Sequence, residues 1–316
     1  MAQYLPYIIF AIGLAGVIFG STWFVSSAAK LAKMMGVSQL IIGATIVSVG
    51  TTLPELSSSM AAAIRGNTAF ALGNALGSIN CNTGLILGLL LLSGGVVAGR
   101  GKLFASESVY LLALIVVLYA VSLNNVIGRV EGLFLLASFI LYLMLNLKRA
   151  LKSRLADNDR DADYRTATKA GIVLKLIAGS LLLGAGAFIL VEKGIEIAGL
   201  LGLPDYIISL TFVALGTSLP ELATAIAALV RRQYELSAGN IIGANILNVA
   251  LVVGASATVR PLDVPASMLT FDFAFVFLFV ILMVLAGAVS FRRKRYPGGV
   301  FLLLYIAYVA QLLLRG

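Results

Sequence analysis

Residues 45–56 read TIVSVGTTLPEL, and residues 211–222 read TFVALGTSLPEL. The offset of 166 persists downstream: Arg65 matches Arg231, Gly73-Asn74 matches Gly239-Asn240, Gly77 matches Gly243, Asn82 matches Asn248, and Gly88 matches Gly254. Two unrelated apolar helices would not share that heptapeptide and all of these later positions. The chain is an internal duplication, and a long-period self-match of this kind decides the architecture before any local reading does.

The solvent of the duplicated unit follows from composition. Of the 316 residues, 60% are hydrophobic and 12% charged, and the mean hydropathy is +1.02. Soluble domains run at about 45–50% apolar and about 25% charged. A water-facing globule this apolar could not hide its own surface, so the chain reads as an integral membrane protein. Ten segments supply the ~20 apolar residues that a crossing helix needs: 5–28, 37–64, 69–95, 105–124, 128–147, 170–193, 203–230, 236–257, 268–290 and 297–314. They are too long and too evenly apolar for the alternation of a barrel strand. The first has no charged n-region and no A-x-A site, so it reads as a retained span.

The two motifs lie in spans two and seven, five crossings apart. An odd number of spans per repeat inverts the second copy, the recurring plan of secondary transporters. The expected fold is all-α, with ten transmembrane helices in two inverted five-helix repeats and broken helices at the midplane. Residues 1–147 and 170–316 form the repeats, and 148–169 a hydrophilic linker.

Ten spans place 18 of the 23 Lys and Arg residues on one side. The positive-inside rule then puts the 148–169 loop in the cytoplasm and both termini outside. The net charge of +9 is thus a topology signal and not a nucleic-acid footprint. Within the linker, Asp157, Asp159, Asp161 and Asp163 begin like an EF-hand, but Ala162 replaces the turn glycine and Thr168 the bidentate glutamate, leaving a solvated linker. Histidine is absent and Cys81 is the only cysteine, which removes imidazole chemistry and intrachain disulfides. With no nucleophile beside a base and no catalytic motif, the chain does not read as an enzyme.

The repeated motif carries the chemistry. A proline within a helix cannot donate to the carbonyl four residues earlier, so Pro54 frees the carbonyl of Gly50 and Pro220 that of Gly216. Opened backbone at membrane depth survives only inside protein or beside a wet cavity. Glu55 and Glu221 follow the prolines at mid-span, with no basic residue at matching depth, which calls for a bound cation or a proton. Thr51 lies one helical turn below Glu55 and Thr217 one turn below Glu221, with Thr52 and Ser218 adjacent. In spans three and eight, Ser78 sits under Asn82, and Ala244 under Asn248. Carboxylate, hydroxyl, amide and carbonyl oxygens together suit Ca²⁺, Na⁺ or Mg²⁺. Packing roles compete with this reading. Hydroxyls can bond back to their own helix, and Asn74, Asn240, Asn82 and Asn248 can bind helices together. The Gly-x-x-x-Gly pairs at 73–77 and 239–243 can permit close contact. Cys81, about 100° round the helix from Asn82, reads as a packing residue.

Gly-Thr-Thr-Leu-Pro-Glu at 50–55 and Gly-Thr-Ser-Leu-Pro-Glu at 216–221, each followed by Gly-Asn-x-x-Gly, resemble the two α-repeats of the cation/Ca²⁺ exchanger superfamily. The whole chain is most similar to the prokaryotic Na⁺/Ca²⁺ exchangers. The resemblance implies a midplane cluster between spans two, three, seven and eight. Ca²⁺ would be held by Glu55, Glu221, Thr51 and Thr217. Na⁺ would be held by Thr52, Ser218, Ser78, Asn82, Asn248 and main-chain carbonyls near Ser48 and Ala214. It further implies antiport by alternating access, with spans one and six sliding over the rest, in a prokaryotic plasma membrane. No cofactor is implied beyond the transported Ca²⁺ and Na⁺, and a monomer is compatible with it. H⁺/Ca²⁺ exchange through protonated glutamates and a passive cation channel are the alternatives. Three positions depart from the family. Asn248 stands where relatives often carry Asp, which argues against K⁺ dependence and leaves two formal charges. Ala244 stands where relatives often carry Ser. Ser78-Ile79-Asn80-Cys81-Asn82 replaces Ser-Asn-Ile-x-Asn, which residues 244–248 nearly keep.

Overall fold

The computed structural model describes residues 4–94, 101–156, 169–201, 216–288 and 296–315. Its helices are α1 (Leu5–Met35), α2 (Gln39–Ile64), α3 (Thr68–Leu92), α4 (Gly101–Ser122), α5 (Arg129–Ala156), α6 (Lys169–Leu200), α7 (Leu219–Val230), α8 (Tyr234–Val259), α9 (Met268–Gly287) and α10 (Tyr296–Arg315). Nine of these are long and apolar enough to cross a bilayer, and α7 is shorter. The seventh expected span began at residue 203, and the part before residue 216 lies outside the described residues. Helices α1 and α6 run several residues past their expected ends.

Local chemistry accounts for the boundaries. Gly36, at φ 65°, closes α1 in the left-handed conformation that favours glycine. The Ser38 hydroxyl accepts from the Ile41 amide to start α2, and the Asn67 side chain accepts from the Phe70 amide to start α3.

The midspan distortions take different forms in the two halves. Helix α2 stays helical through Pro54, and its irregular turn lies further upstream, as a π-helical stretch at Gly43–Val47. Ser180 of α6 donates to the Gly50 carbonyl at 3.5 Å, so the acceptor freed by Pro54 is shared with another helix. In the second half the described residues of the matching span begin at Gly216. Thr217 and Ser218 form a turn, and Pro220 occupies the first turn of α7, where its missing N–H costs little. Spans three and eight each carry a π segment, Cys81–Leu87 and Asn248–Val253. The 166-residue offset superimposes one on the other, so the halves share a distortion as well as a motif.

Helix α8 is enclosed almost throughout, whereas α1, α5, α6 and α10 each turn an apolar face outward. Ile12, Phe19, Leu174, Leu181 and Phe188 are exposed on α1 and α6, as a hydrocarbon solvent permits. Those two helices cross where glycines leave no room for side chains. A Cβ on Gly20 would stand 2.5 Å from the Leu183 amide nitrogen, and one on Gly186 would stand 2.7 Å from that of Val17.

The Gly-x-x-x-Gly pairs behave unequally. A Cβ on Gly239 would collide with the Leu40 carbonyl, and one on Gly243 would sit 2.5 Å from that of Ala44, so α8 lies directly on α2. In the first repeat, Gly73 meets the Met268 side chain at 3.1 Å, and nothing described approaches Gly77. Close contact at Gly77 is therefore not found among the described residues. The positions matching Leu40 and Ala44 are 206 and 210, outside them.

The loops after spans two, four and eight meet at one end of the bundle. Val126–Ile127 pairs antiparallel with Leu262–Asp263, and Thr68 donates to Asp263 at 2.5 Å. At another place Lys30 and Lys33, from the end of α1, line one cleft with Arg231 and Gln233, from the turn after α7. This grouping of loops is what ten alternating crossings require.

Candidate cation site

Four helices converge at mid-bundle. Helix α2 brings Ser48, Thr51, Thr52 and Glu55; α3 brings Ser78 and Asn82. The turn entering α7 brings Thr217, Ser218 and Glu221, and α8 brings Asn248. Ser48, Thr51, Glu55, Asn82, Glu221 and Asn248 are fully buried, and Thr52, Ser78 and Ser218 almost so. The Glu55 and Glu221 carboxyl groups, one from each repeat, face one another closely enough to interact directly. Among the described residues, the ion pairs join Arg149 to Glu107 and Lys193 to Glu192 and Glu196. None reaches the central pair. Ala214 lies outside the described residues.

Hydrogen bonds sort packing groups from groups left open. Ser48 donates to the Thr45 carbonyl at 3.0 Å, and Thr51 to the Ser48 carbonyl at 3.3 Å and to Asn240 Oδ1 at 3.1 Å. Thr52 donates to Glu221 Oε1 at 3.5 Å. Asn240 in turn donates to Thr224 at 3.0 Å, as Asn74 donates to Ser58 at 3.2 Å and Ser59 at 2.9 Å. Asn74 and Asn240 are thus interhelical ties at equivalent positions. By contrast, both Glu55 oxygens, Glu221 Oε2, Ser78 Oγ, Asn82 Oδ1, Thr217 Oγ1, Ser218 Oγ and both polar atoms of Asn248 are buried with no hydrogen-bond partner.

Buried oxygens left unsatisfied cost about 1–3 kcal/mol each, more when charged, and native interiors rarely tolerate them. Here they concentrate around two carboxylates that lack a base. A cation among them would satisfy oxygens of this set, which are hard-ion ligands, though not the Asn248 Nδ2 donor. The Cys81 thiol sits at the edge of the cluster, between Ser218 and Tyr305, and the donor set is otherwise all oxygen.

Sequence reasoning missed two groups. Glu107 of α4 is buried and paired with Arg149 of α5. Beside it, the Tyr142 hydroxyl donates to the Ala44 carbonyl at 3.0 Å, within the π turn of α2. Tyr308, 166 residues on, donates to Asp272 at 2.9 Å. An acidic residue in an apolar run was the available signal for Glu107. The second missed group joins Asn82, Asn245 and Thr83. Asn82 Nδ2 donates to Asn245 Oδ1 at 3.1 Å, and Asn245 Nδ2 donates to Thr83 Oγ1 at 2.7 Å.

Comparison with known proteins agrees with this architecture. A family model described as "Sodium/calcium exchanger protein" matches residues 5–148 and 171–314. The sodium/calcium exchanger MaX1 of Methanosarcina acetivorans is 30% identical over 97% of this chain and 98% of its own length. The inner membrane protein YrbG of Escherichia coli is 32% identical over 95% and 94%. Among solved structures, the sodium-calcium exchanger NCX_Mj soaked with 10 mM Na⁺ and zero Ca²⁺ superimposes with a TM-score of 0.84. It is 29% identical, over 98% of this chain and 99% of that one.

Proposed function

The chain belongs to the sodium/calcium exchanger family, and from that premise we propose that it exchanges Na⁺ for Ca²⁺ by alternating access, with the buried glutamate pair as the shared ion site. One observation carries the site assignment: two carboxylates, one per repeat, meet without a base among oxygens that have no protein partner. Glu55, Glu221, Thr51 and Thr217 hold Ca²⁺. Thr52, Ser218, Ser78, Asn82, Asn248 and carbonyls near Ser48 and Ala214 hold Na⁺.

Charge arithmetic makes the site an exchanger. Two glutamates carry −2, which one Ca²⁺ or a set of Na⁺ ions neutralises. An empty site with two desolvated charges is costly to occlude, so the protein changes sides only when loaded. If more than two Na⁺ enter per Ca²⁺ extruded, the cycle moves net charge and responds to voltage. Amide at Asn248 adds no third charge and gives K⁺ no carboxylate.

Helices α1 and α6 are the moving pair. Their glycine-lined crossing favours motion as one body, and both touch the site helix at Gly50. A Cβ there would meet the Phe24 ring at 2.6 Å and Ser180 Oγ at 3.1 Å. Residues 1–147 and 170–316 are the repeats, with the 148–169 linker cytoplasmic and both termini outside a prokaryotic cell membrane. The basic-residue bias supports that orientation.

The test is ⁴⁵Ca²⁺ uptake into proteoliposomes under imposed Na⁺, K⁺ or H⁺ gradients. Uptake driven by internal Na⁺ is expected. Uptake driven by a pH jump alone would assign the protein to H⁺/Ca²⁺ exchange, and uptake needing no counter-ion would make it a channel.

A further inference from the structure

We infer that the cleft between the end of α1 and the turn after α7 binds the headgroup of an anionic phospholipid. Lys30, Lys33, Arg231 and Gln233 line it, with Ser26 at its side, and its volume is about 380 Å³. No carboxylate is among the lining groups. Lys30 and Arg231 are exposed, and among the described residues no acidic side chain pairs with either. Basic groups gathered about one hollow repel one another, and an anion between them removes that cost. Arg231 can take a phosphate through two parallel N–H groups, the lysines act as point charges, and the Gln233 amide adds an uncharged donor.

Depth selects a lipid over a soluble anion. Leu5, Ile8, Ile12, Phe19 and Trp23 are exposed along α1, and that stretch rises about 27 Å, close to the roughly 30 Å of a hydrocarbon core. Trp23 then stands at the interface, where tryptophan is enriched, and Lys175 Nζ of α6 lies 5.5 Å from its ring centroid. Lys30 and Lys33 follow two to three turns further on, level with headgroup phosphates. Lys30 comes seven residues after Trp23 and eleven after Phe19, so it shares their face of the helix. A lipid with its phosphate in the cleft can therefore lay its chains along the apolar side of α1.

The duplication shows that the fold does not require this charge. The 166-residue offset takes Lys30 to Glu196, Lys33 to Gly199 and Gln233 back to Asn67. Arg65, the mate of Arg231, is the one basic residue kept at the equivalent place, and Glu196 there already pairs with Lys193. Of the two equivalent places only one is basic. The orientation proposed above sets it in the cytoplasmic leaflet, where anionic lipids give the surface its negative potential.

The experiment follows thermal melting of the full chain in detergent as phosphatidylglycerol is titrated in, with phosphatidylcholine as the neutral control and inorganic phosphate as the soluble one. Phosphatidylglycerol alone should raise the melting temperature. Lys30→Gln and Arg231→Gln should each raise its half-saturating concentration about fivefold, the weight of one basic side chain near an anionic surface, and the double variant roughly thirtyfold. Melting in phosphatidylcholine should stay at the wild-type value, since both side chains are exposed. Lys148→Gln combined with Lys152→Gln removes two exposed basic residues of α5 outside the cleft and should leave the titration unchanged. An equal shift in that control, or none in the cleft variants, would overturn the inference in favour of a diffuse surface effect. Comparable stabilisation by inorganic phosphate would overturn it in favour of a soluble anion. Melting does not depend on ion flux, so failure here leaves the exchange mechanism standing, and failure of exchange leaves this site standing.

Discussion

Replacing Glu55 with glutamine separates the ion site from the fold more sharply than any other single change. Neither Glu55 carboxyl oxygen accepts a hydrogen bond, and the side chain is fully buried opposite Glu221. The amide therefore breaks no hydrogen bond made within the protein. It also removes one of two like charges from a desolvated site, so the cation-free protein should melt no lower than wild type. Ca²⁺ loses half of its compensating charge. Removing one partner of a buried charge pair costs about 3–5 kcal/mol, which weakens binding by a factor of about one hundred to several thousand. At a Ca²⁺ concentration of about 100 times the wild-type Kd, ligand linkage stabilises the wild type by about 2.7 kcal/mol. In Glu55→Gln the same concentration would give at most about 0.4 kcal/mol. The assay is thermal melting in detergent with and without Ca²⁺, alongside ⁴⁵Ca²⁺ uptake into Na⁺-loaded vesicles. Retention of the Ca²⁺-dependent shift, or wild-type uptake, would refute the role given to Glu55. A large drop in the cation-free melting temperature would show that its carboxylate has a structural partner.

Three further substitutions probe other parts of the molecule. Arg149→Met leaves the buried Glu107 charge unpaired. Arg149 is 36% exposed, so water already screens the pair, and the expected loss is about 2 kcal/mol, below the range for fully buried pairs. Denaturation should show this loss partly recovered by adding Glu107→Gln, and wild-type stability of Arg149→Met would refute the pairing. Gly186→Ala forces α1 and α6 apart, since its Cβ would lie 2.7 Å from the Val17 nitrogen, whereas Gly184 has open space among the described residues. The first should cost about 1–3 kcal/mol and slow transport, and the second should do neither. Equal effects in melting and flux would show that the crossing is not tight. Asn248→Asp adds a third negative charge beside the glutamates and should change the Na⁺ cooperativity of ⁴⁵Ca²⁺ flux; unchanged cooperativity would remove position 248 from the cluster.

Much of this was readable from the chain. The duplication, the span count and the charged motif follow from long-period and composition signals, which tertiary contacts do not alter. The prolines correctly marked distorted helices, but the form of each distortion depends on neighbours. Pro54 stays within a helix whose wide turn lies upstream at Gly43–Val47, whereas Pro220 opens a new helix. No local residue pattern specifies the π segments in α3 and α8, because the register of a helical turn responds to what packs against it. Gly77 and Gly243 have identical motif contexts and different surroundings. Periodicity shows which residues can approach, not which partner arrives. Asn245 was visible as a motif residue, yet its part required knowing that Thr83 comes from the opposite repeat to meet it.

A protein built from two perfectly matched, oppositely inserted halves would spend equal time open to either compartment, since turning it over would reproduce it. This chain is not so balanced. At the 166-residue offset Ser78 is matched by Ala244, Ile79 by Asn245 and Thr83 by Val249. Any such mismatch lifts the degeneracy between the two facings, and a difference of about 1.4 kcal/mol already populates one tenfold over the other. Such differences between the copies, and not the duplication itself, give the two facings unequal intrinsic energies.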